Sequence, residues 1–403
     1  MNIEQPPKPD YWVTIEIVDP ANFRVVWARG LPYRSYLIDK GDVESVSDNI
    51  RAQLSELVNN ALAKENATKT NDIIQLSEAT KSQCEILLEL VRCCRELYRI
   101  LFTCSPESQV GQEYVDRIRE RLTSEKTTKS ICFLVKSRVY VPWGLLYDGP
   151  QPSDLDQTNP DCFPGFWCLR HQVSTIFDTL ASPNDFIVTY DRGGFHTLIA
   201  GDSAEFEKAT QSLHHPAERQ LHERLIDRYG DLIVSSVDLV AAWKKQEKQL
   251  GLLYLFCHAN ARTIGFSLYD TMSVVDFKRD LIKSAESPRC LVFLNGCFTS
   301  SPDVKGTFFE ATGRNGFCGY VGAETEVPSL FAFRFGLAFQ RFFEEGMEVV
   351  EIMRHLFRQH WPLGLIYGLY AFPHLRISSP ECALSWQWPL DNYAEGPLGE
   401  KIQ

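Results

Sequence analysis

Two apolar segments decide the fold. Leu252-Leu253-Tyr254-Leu255-Phe256 leads into Cys257-His258-Ala259-Asn260, and Cys290-Leu291-Val292-Phe293-Leu294 leads into Asn295-Gly296-Cys297. Both runs are continuously apolar rather than alternating, as strands buried on both faces of a parallel sheet are. Open parallel sheets bind ligands beyond the carboxyl ends of their strands. If the two segments are neighbouring strands, His258 and Cys297 therefore share one crevice.

Similar apolar runs recur from residue 131 onward and alternate with stretches of helical spacing. The helical patterns span residues 205–225, 239–249, 274–285 and 330–345, and a further short apolar run lies at 232–237. Such alternation is typical of βαβ units, so the sequence predicts an α/β fold with a mainly parallel, buried sheet. Upstream, the pattern predicts a β-hairpin at 11–28 and helices at 43–62, 86–101 and about 111–122.

The length of 403 residues exceeds that of one typical domain. We therefore predict an N-terminal hairpin with helices (1–125) that braces or regulates the core, an α/β core (126–380) and a C-terminal tail (381–403). Polar stretches at 64–72 and 150–164 predict exposed loops.

The charge balance argues against two classes of partner. The chain carries 41 Lys+Arg against 52 Asp+Glu, a formal net charge of −11. Nucleic acids and anionic membranes both favour a positive surface, so we expect direct binding to neither. The N-terminus lacks the features of a secretory signal, and no run reaches the about 18 uninterrupted apolar residues of a membrane span. We expect a soluble, cytoplasmic protein.

The cysteines and histidines predict neither a disulfide framework nor a metal site. The twelve cysteines are sparse in a chain of this length and form no CxxC pair, so we predict mostly buried free thiols. His214, His215 and His222 have no cluster of Cys or carboxylates beside them. His355 and His360 are five residues apart, off the i,i+4 face of a helix. We expect no metal and no cofactor.

A thiol and an imidazole at one sheet edge have the chemistry of covalent acyl transfer. The thiolate is the attacking form, and an imidazole or a helix N-terminus near Cys297 would favour it. The backbone N–H groups of Ala259 and Cys297 are the candidates for stabilising the negative oxygen that forms. The alternative is structural: a Cys that ends an apolar strand is commonly a buried thiol, and a His there is commonly a capped surface or core residue.

Several segments occur in a recognisable order along the chain. They are Val141–Asp148 (VPWGLLYD), Gly201-Asp202 followed by the helix that bears Glu205, Phe256–His258 (FCH), Phe293–Cys297 (FLNGC), Gly319–Gly322 (GYVG), Phe335–Gly346 and Tyr367–Phe372. In this order they resemble the CHAT family of caspase-like cysteine peptidases, which is related to caspases and separases. The resemblance implies a caspase-like fold, a central and mainly parallel sheet flanked by helices. It also implies that His258 and Cys297 are the catalytic dyad.

The resemblance carries further expectations about the site. In this clan the Cys attacks the peptide carbonyl, and the His polarises that carbonyl or protonates the leaving amine. Ala259 stands where the family usually has Gly, and its N–H suits an oxyanion hole if its φ is negative. Gly144 stands where the family commonly has Glu, a position that we interpret as structural.

The loop Ala323-Glu324-Thr325-Glu326 lies where relatives shape the pocket for the residue before the cleaved bond. Two carboxylates there would suit a Lys or Arg side chain of the substrate through charge pairing. The alternative interpretation of Glu324 and Glu326 is that they are solvated surface glutamates.

The resemblance implies an endopeptidase that acts on one or a few intracellular proteins. Short CHAT proteins resemble components of bacterial antiviral defence and cell-death systems, so a protein substrate and a protein activator are the expected partners. The alternative is an inactive caspase-like scaffold that binds a partner without cutting it. Ala259 favours this alternative, whereas the intact His258 and Cys297 oppose it.

Overall fold

The structure is a computed structural model. It describes residues 9–28, 34–68, 81–124, 127–136, 140–150, 163–177, 187–189, 196–213, 216–230, 232–246, 250–260, 262–282, 290–300, 307–313 and 317–378. The predicted tail at 381–403, most of the predicted loop at 150–164, and His214 with His215 lie outside the described residues.

The described strands and helices follow each other along the whole chain. The strands are β1 (Tyr11–Ile17), β2 (Asn22–Ala28), β3 (Ser35–Asp39), β4 (Ser130–Val135), β5 (Gln172–Phe177), β6 (Ile187–Thr189), β7 (His196–Gly201), β8 (Leu250–Phe256), β9 (His258–Ala259), β10 (Thr263–Gly265), β11 (Thr271–Ser273), β12 (Leu291–Asn295), β13 (Gly319–Ala323), β14 (Tyr367–Ala371) and β15 (Arg376–Ser378). The helices are α1 (Lys40–Thr68), α2 (Lys81–Leu101), α3 (Gln112–Ser124), α4 (Trp167–Arg170), α5 (Ser203–Gln211), α6 (Pro216–Tyr229), α7 (Ser236–Gln246), α8 (Val274–Phe277), α9 (Phe308–Gly313), α10 (Ser329–Glu344) and α11 (Val349–Gln359).

The first large sheet has the order β3-β2-β1-β4-β5. β1, β2 and β3 pair antiparallel, so the predicted N-terminal hairpin is confirmed. β4 pairs parallel with both β1 and β5, so this sheet contains strands from both sides of residue 126. The division of the chain at residue 125 stays a prediction.

The second large sheet has the order β14-β13-β12-β8-β7. β7, β8, β12 and β13 are parallel, and β14 is an antiparallel edge strand. Every residue of β8, β12 and β13 is buried, as the apolar runs predict for a sheet covered on both faces.

Alternate side chains of the second sheet pack into two different cores. Tyr254 and Phe256 belong to the core that includes α10 and α11, whereas Leu253 and Leu255 belong to the core that includes α7 and α8. Helices therefore cover both faces of a mainly parallel sheet, and the predicted fold class is confirmed. Among the described residues, no helix is long and apolar enough to cross a membrane.

Three local predictions were wrong. α1 continues to Thr68, so the first part of the polar stretch at 64–72 is helical, because Lys, Glu and Ala favour helix despite their polarity. The pattern at 205–225 forms two helices, since Pro216 begins α6. The apolar run at 232–237 contributes only an isolated bridge between Ile233 and Ala200.

Candidate functional site

The two strand ends singled out in the sequence lie side by side. β8 and β12 are parallel neighbours, and Phe256 pairs with Asn295 in the last register position. His258 and Cys297 each come two residues after the last residue of these strands, so both follow the same end of a parallel pair. The chain approach is close, because a Cβ added at Gly296 would lie 2.6 Å from the Cβ of Ala259. Glycine is therefore needed at position 296.

Cys297 is half-buried, and its Sγ lies 4.0 Å from the Val327 carbonyl oxygen. Burial raises the pKa of the Cys297 thiol, and the nearby carboxylates of Glu326 and Glu205 raise it further. The resting side chain is therefore a neutral thiol. Attack by the sulfur requires a group that takes up its proton during the reaction.

The turn after Cys297 carries backbone strain. Phe298 has a φ of 54°, and it is the only described non-glycine residue with positive φ. Such a conformation costs on the order of 1–3 kcal/mol and persists where the surroundings hold it. Phe298 N–H donates to the Thr325 carbonyl at 3.0 Å, and Ser300 N–H donates to the Ala323 carbonyl at 2.8 Å. The loop after β13 thus holds the turn.

Two buried polar side chains that the sequence analysis did not single out support this turn. The hydroxyl of Thr299 lies 3.1 Å from the carbonyls of Leu294 and Gly296 and accepts from the Ala323 N–H at 2.8 Å. Asn295 donates to the Tyr254 hydroxyl at 2.9 Å and to the Ala332 carbonyl at 2.6 Å, and it accepts from the Tyr367 hydroxyl at 2.5 Å. Satisfied buried networks of this kind fix a single geometry.

His258 is mainly in solvent, with 68% of its side chain exposed, and its Nε2 lies 3.6 Å from Oε1 of Glu205. Glu205 stands in the first turn of α5, which Asp202 caps. Ser329 donates to the other oxygen of Glu205 at 2.7 Å and so orients the carboxylate. Among the described residues, no hydrogen bond joins His258 to Cys297.

Glu205 was not among the predicted site residues, although the sequence contained a signal for it. The strand β7 ends at Gly201 and Asp202 follows, so a residue in the first turn of the next helix lies at the same sheet edge as His258. Among the described residues, no three His, Cys, Asp or Glu side chains are grouped as a metal site would need.

The backbone conformation of Ala259 is compatible with a role of its N–H in an oxyanion hole. Its φ is not positive, so its Cβ causes no strain. Next to Ala259, Asn260 N–H donates to the Thr263 carbonyl, so Asn260 and Thr263 form a hydrogen-bonded pair at the end of the β9–β10 pairing. Along an antiparallel ladder, hydrogen-bonded pairs alternate with pairs that share no hydrogen bond. The pair of Ala259 with Ile264 is then a non-bonded one, and the Ala259 N–H points away from β10.

The two predicted substrate-binding glutamates differ in their surroundings. Glu324 is buried, and its carboxylate already pairs with Arg51 at 3.0 Å and accepts from the Tyr370 hydroxyl. Glu326 is half-buried and close enough to Cys297 to raise the pKa of its thiol. Glu324 thus already has partners within the protein, and substrate binding by either carboxylate stays a prediction.

Comparisons with known proteins show the fold. No protein-family model matches the chain, and no curated protein matches it in sequence. A crystal structure of the Saccharomyces cerevisiae separase–securin complex at 3.0 Å matches with a TM-score of 0.53 and 11% identity, over 91% of this chain. The 2.6 Å structure of that complex matches with a TM-score of 0.49 and 10% identity. The chain spans 30% of the length of the chain that it matches. At this identity the likeness concerns architecture, and the protein has a separase-like, caspase-like fold.

Proposed function

We propose that the protein is a cysteine endopeptidase of the CHAT family, with Cys297 as nucleophile and His258 as acid–base group. The observation that supports the proposal is that β8 and β12 are parallel neighbours, with His258 and Cys297 each two residues beyond the end of its strand. The ordered sequence segments that resemble CHAT peptidases support it. The caspase-like scaffold is compatible with it.

The proposed reaction begins from the neutral thiol. As the Cys297 sulfur bonds to the carbonyl carbon of the scissile peptide, its proton passes to His258, and the negative oxygen accepts from the N–H groups of Ala259 and Cys297. His258 then gives the proton to the leaving amine as the C–N bond breaks. Water then attacks the thioester carbonyl and gives a proton to His258. The C–S bond breaks, the acid product leaves, and His258 returns the proton to the Cys297 sulfur, which reforms the thiol.

Glu326 supports a preference for Lys or Arg before the cleaved bond, because its carboxylate stands near Cys297 and is not fully buried. We keep Glu324 in the proposed pocket only as a residue that shapes it, since its charge is already compensated by Arg51. Glu326→Gln should raise the KM for a peptide with Arg at that position by about tenfold or more. It should leave the KM for a Leu peptide unchanged.

We further propose a protein substrate and a protein activator in a bacterial defence or cell-death system, and a cytoplasmic location. The separase of the matched structures is in complex with the protein securin, which supports a protein partner here. The free thiols of Cys93, Cys94, Cys104 and Cys132 support a reducing compartment.

The test is co-expression with proteins encoded by neighbouring genes, together with a peptide library on the purified protein. We expect cleavage by the wild type and by Cys93→Ala, which removes another half-buried thiol, and none by Cys297→Ala. Cleavage that persists in Cys297→Ala would overturn the assignment of the nucleophile.

The second candidate function is a non-cutting scaffold that binds a partner. The raised pKa of the Cys297 thiol and the absence of a hydrogen bond between the described side chains of His258 and Cys297 favour it. A peptidyl electrophile that needs an oxyanion hole to react separates the two functions. Labelling of Cys297 supports the peptidase, and binding of a partner with no labelling and no cleavage supports the scaffold.

A further inference from the structure

The loop that begins with the last residue of β13 (residues 323–327) is held from outside the second sheet by α1. Arg51, whose side chain is 11% exposed, lies 3.0 Å from the carboxylate of Glu324, whose side chain is 2% exposed. The same guanidinium donates to the Tyr140 carbonyl at 2.5 Å and to Asp48 at 3.2 Å. One turn further along α1, Ser55 hydrogen-bonds Thr325. Residues at i and i+4 share a helix face, so two adjacent turns of α1 contact this loop.

The same loop holds the strained turn that follows Cys297. The residues on either side of Glu324 are the ones that bind the turn: Ala323 bonds Ser300 and Thr299, and Thr325 accepts from Phe298. Of the next two residues, Val327 places its carbonyl oxygen 4.0 Å from the sulfur, and the carboxylate of Glu326 raises the pKa of the Cys297 thiol. A shift of Glu324 therefore reaches the turn and the surroundings of the thiol together.

We propose that Arg51 is a positioning residue for Cys297, acting through the buried ion pair with Glu324. This inference rests on the proposed function where it concerns catalysis, but its central measurement does not. Removing one partner of a buried ion pair leaves the other charge uncompensated, which is more disruptive than removing both. Without Arg51, Glu324 moves toward water and carries the loop away from the turn.

The expected signature is a pair of opposite changes. Displacing Glu326 and Val327 uncovers the thiol and takes a carboxylate away from it, so alkylation of Cys297 by iodoacetamide should become at least about tenfold faster. At the same time, the misplaced turn should lower kcat for peptide cleavage by at least about tenfold with little change in KM. A purely structural role would lower the melting temperature and move neither rate below the melting transition.

The experiment compares Arg51→Gln with Arg24→Gln at 25 °C, after circular dichroism has established that each is folded. Arg24 forms a half-buried pair with Glu16 in the first sheet, so its removal is a matched loss of charge. Mass spectrometry gives the alkylation rate of Cys297 relative to Cys93, a half-buried thiol on α2, within the same molecule. We expect the ratio to rise in Arg51→Gln only.

A double variant, Arg51→Gln with Glu324→Gln, keeps the proposal falsifiable if the single variant fails to fold. With no buried charge left uncompensated, we expect the alkylation ratio to return to within about threefold of the wild type. The role of Arg51 is overturned if the alkylation ratio is unchanged in folded Arg51→Gln. It is also overturned if the ratio rises as much in the double variant as in the single one. Because alkylation needs no peptidase activity, failure of the wild type to cleave peptides overturns the proposed function separately.

Discussion

The two large sheets of the protein differ in the residues that come directly after their parallel strands. In the second sheet, Asp202, His258 and Cys297 come after β7, β8 and β12 and gather at one edge. In the first sheet, β4 is followed by Lys136, whose N–H donates to the Ile15 carbonyl of β1 and so extends the strand pairing. β4 is nearly as buried as β8 and β12, so burial alone does not make a site. Successive βα units that end at the same edge bring distant polar residues together.

The backbones of β7 and β8 in the second sheet approach each other closely at Gly201. A substitution there should have the largest effect on the free energy of unfolding. A Cβ at Gly201, at the end of β7, would lie 1.7 Å from the backbone oxygen of Phe256. Neither backbone can move without breaking the β7–β8 ladder. Gly201→Ala should lower the free energy of unfolding in urea by more than about 3 kcal/mol. Gly111→Ala is the control, because an added Cβ there meets nothing within 4 Å. Equal losses in both variants would contradict the packing argument.

Removing a buried polar side chain should destabilise the second sheet more than the first. Asn295→Leu leaves the hydroxyls of Tyr254 and Tyr367 without their partner and removes the bond that ties the strand end to the Ala332 carbonyl. We expect a loss of about 3 kcal/mol in urea unfolding, since each buried unpaired group costs about 1–3 kcal/mol. In the first sheet, the Ser130 hydroxyl has no partner among the described residues, so Ser130→Ala should be close to neutral. A neutral Asn295→Leu would show that the network does not hold the turn.

Runs of apolar residues in the sequence predicted the central strands of the second sheet. The continuous apolar runs at 252–256 and 290–294 identified β8 and β12, and polar residues directly after them identified His258 and Cys297. Contacts between distant residues left no such signal. Arg51 and Glu324 are 273 positions apart, and Asn295 meets Tyr367 across 72. The edge strand β14 and the short strands β9 to β11 were missed because their pairing depends on those neighbours rather than on their own periodicity.

A buried histidine between α4 and the edge strand β5 of the first sheet should make the protein acid-sensitive. Burial lowers the pKa of His171 to about 3, with the positive charge of Arg170 contributing. The unfolded chain takes up a proton near pH 6.5, whereas the folded chain does not until about pH 3, so stability present above pH 6.5 is lost as the pH falls. The contribution of His171 between pH 7 and pH 5 is about 2 kcal/mol. Urea unfolding at both pH values should show a smaller loss for His171→Gln, and equal losses would contradict the assignment.

The smallest expected effect concerns the carboxylate beside His258, and it tests whether the edge of the second sheet acts as a unit. Glu205 lies 3.6 Å from the imidazole and is oriented by Ser329, whereas Glu207, two residues further along α5, is exposed and bonds only Gln211 among the described residues. Glu205→Gln keeps the shape but removes the charge that stabilises an imidazolium during proton transfer. We expect kcat/KM for peptide cleavage to fall by about tenfold, less than the full contribution of acid–base catalysis. Glu207→Gln should leave it unchanged. If both variants cleave like the wild type, the polar groups of this edge do not cooperate, and His258 acts without help from α5.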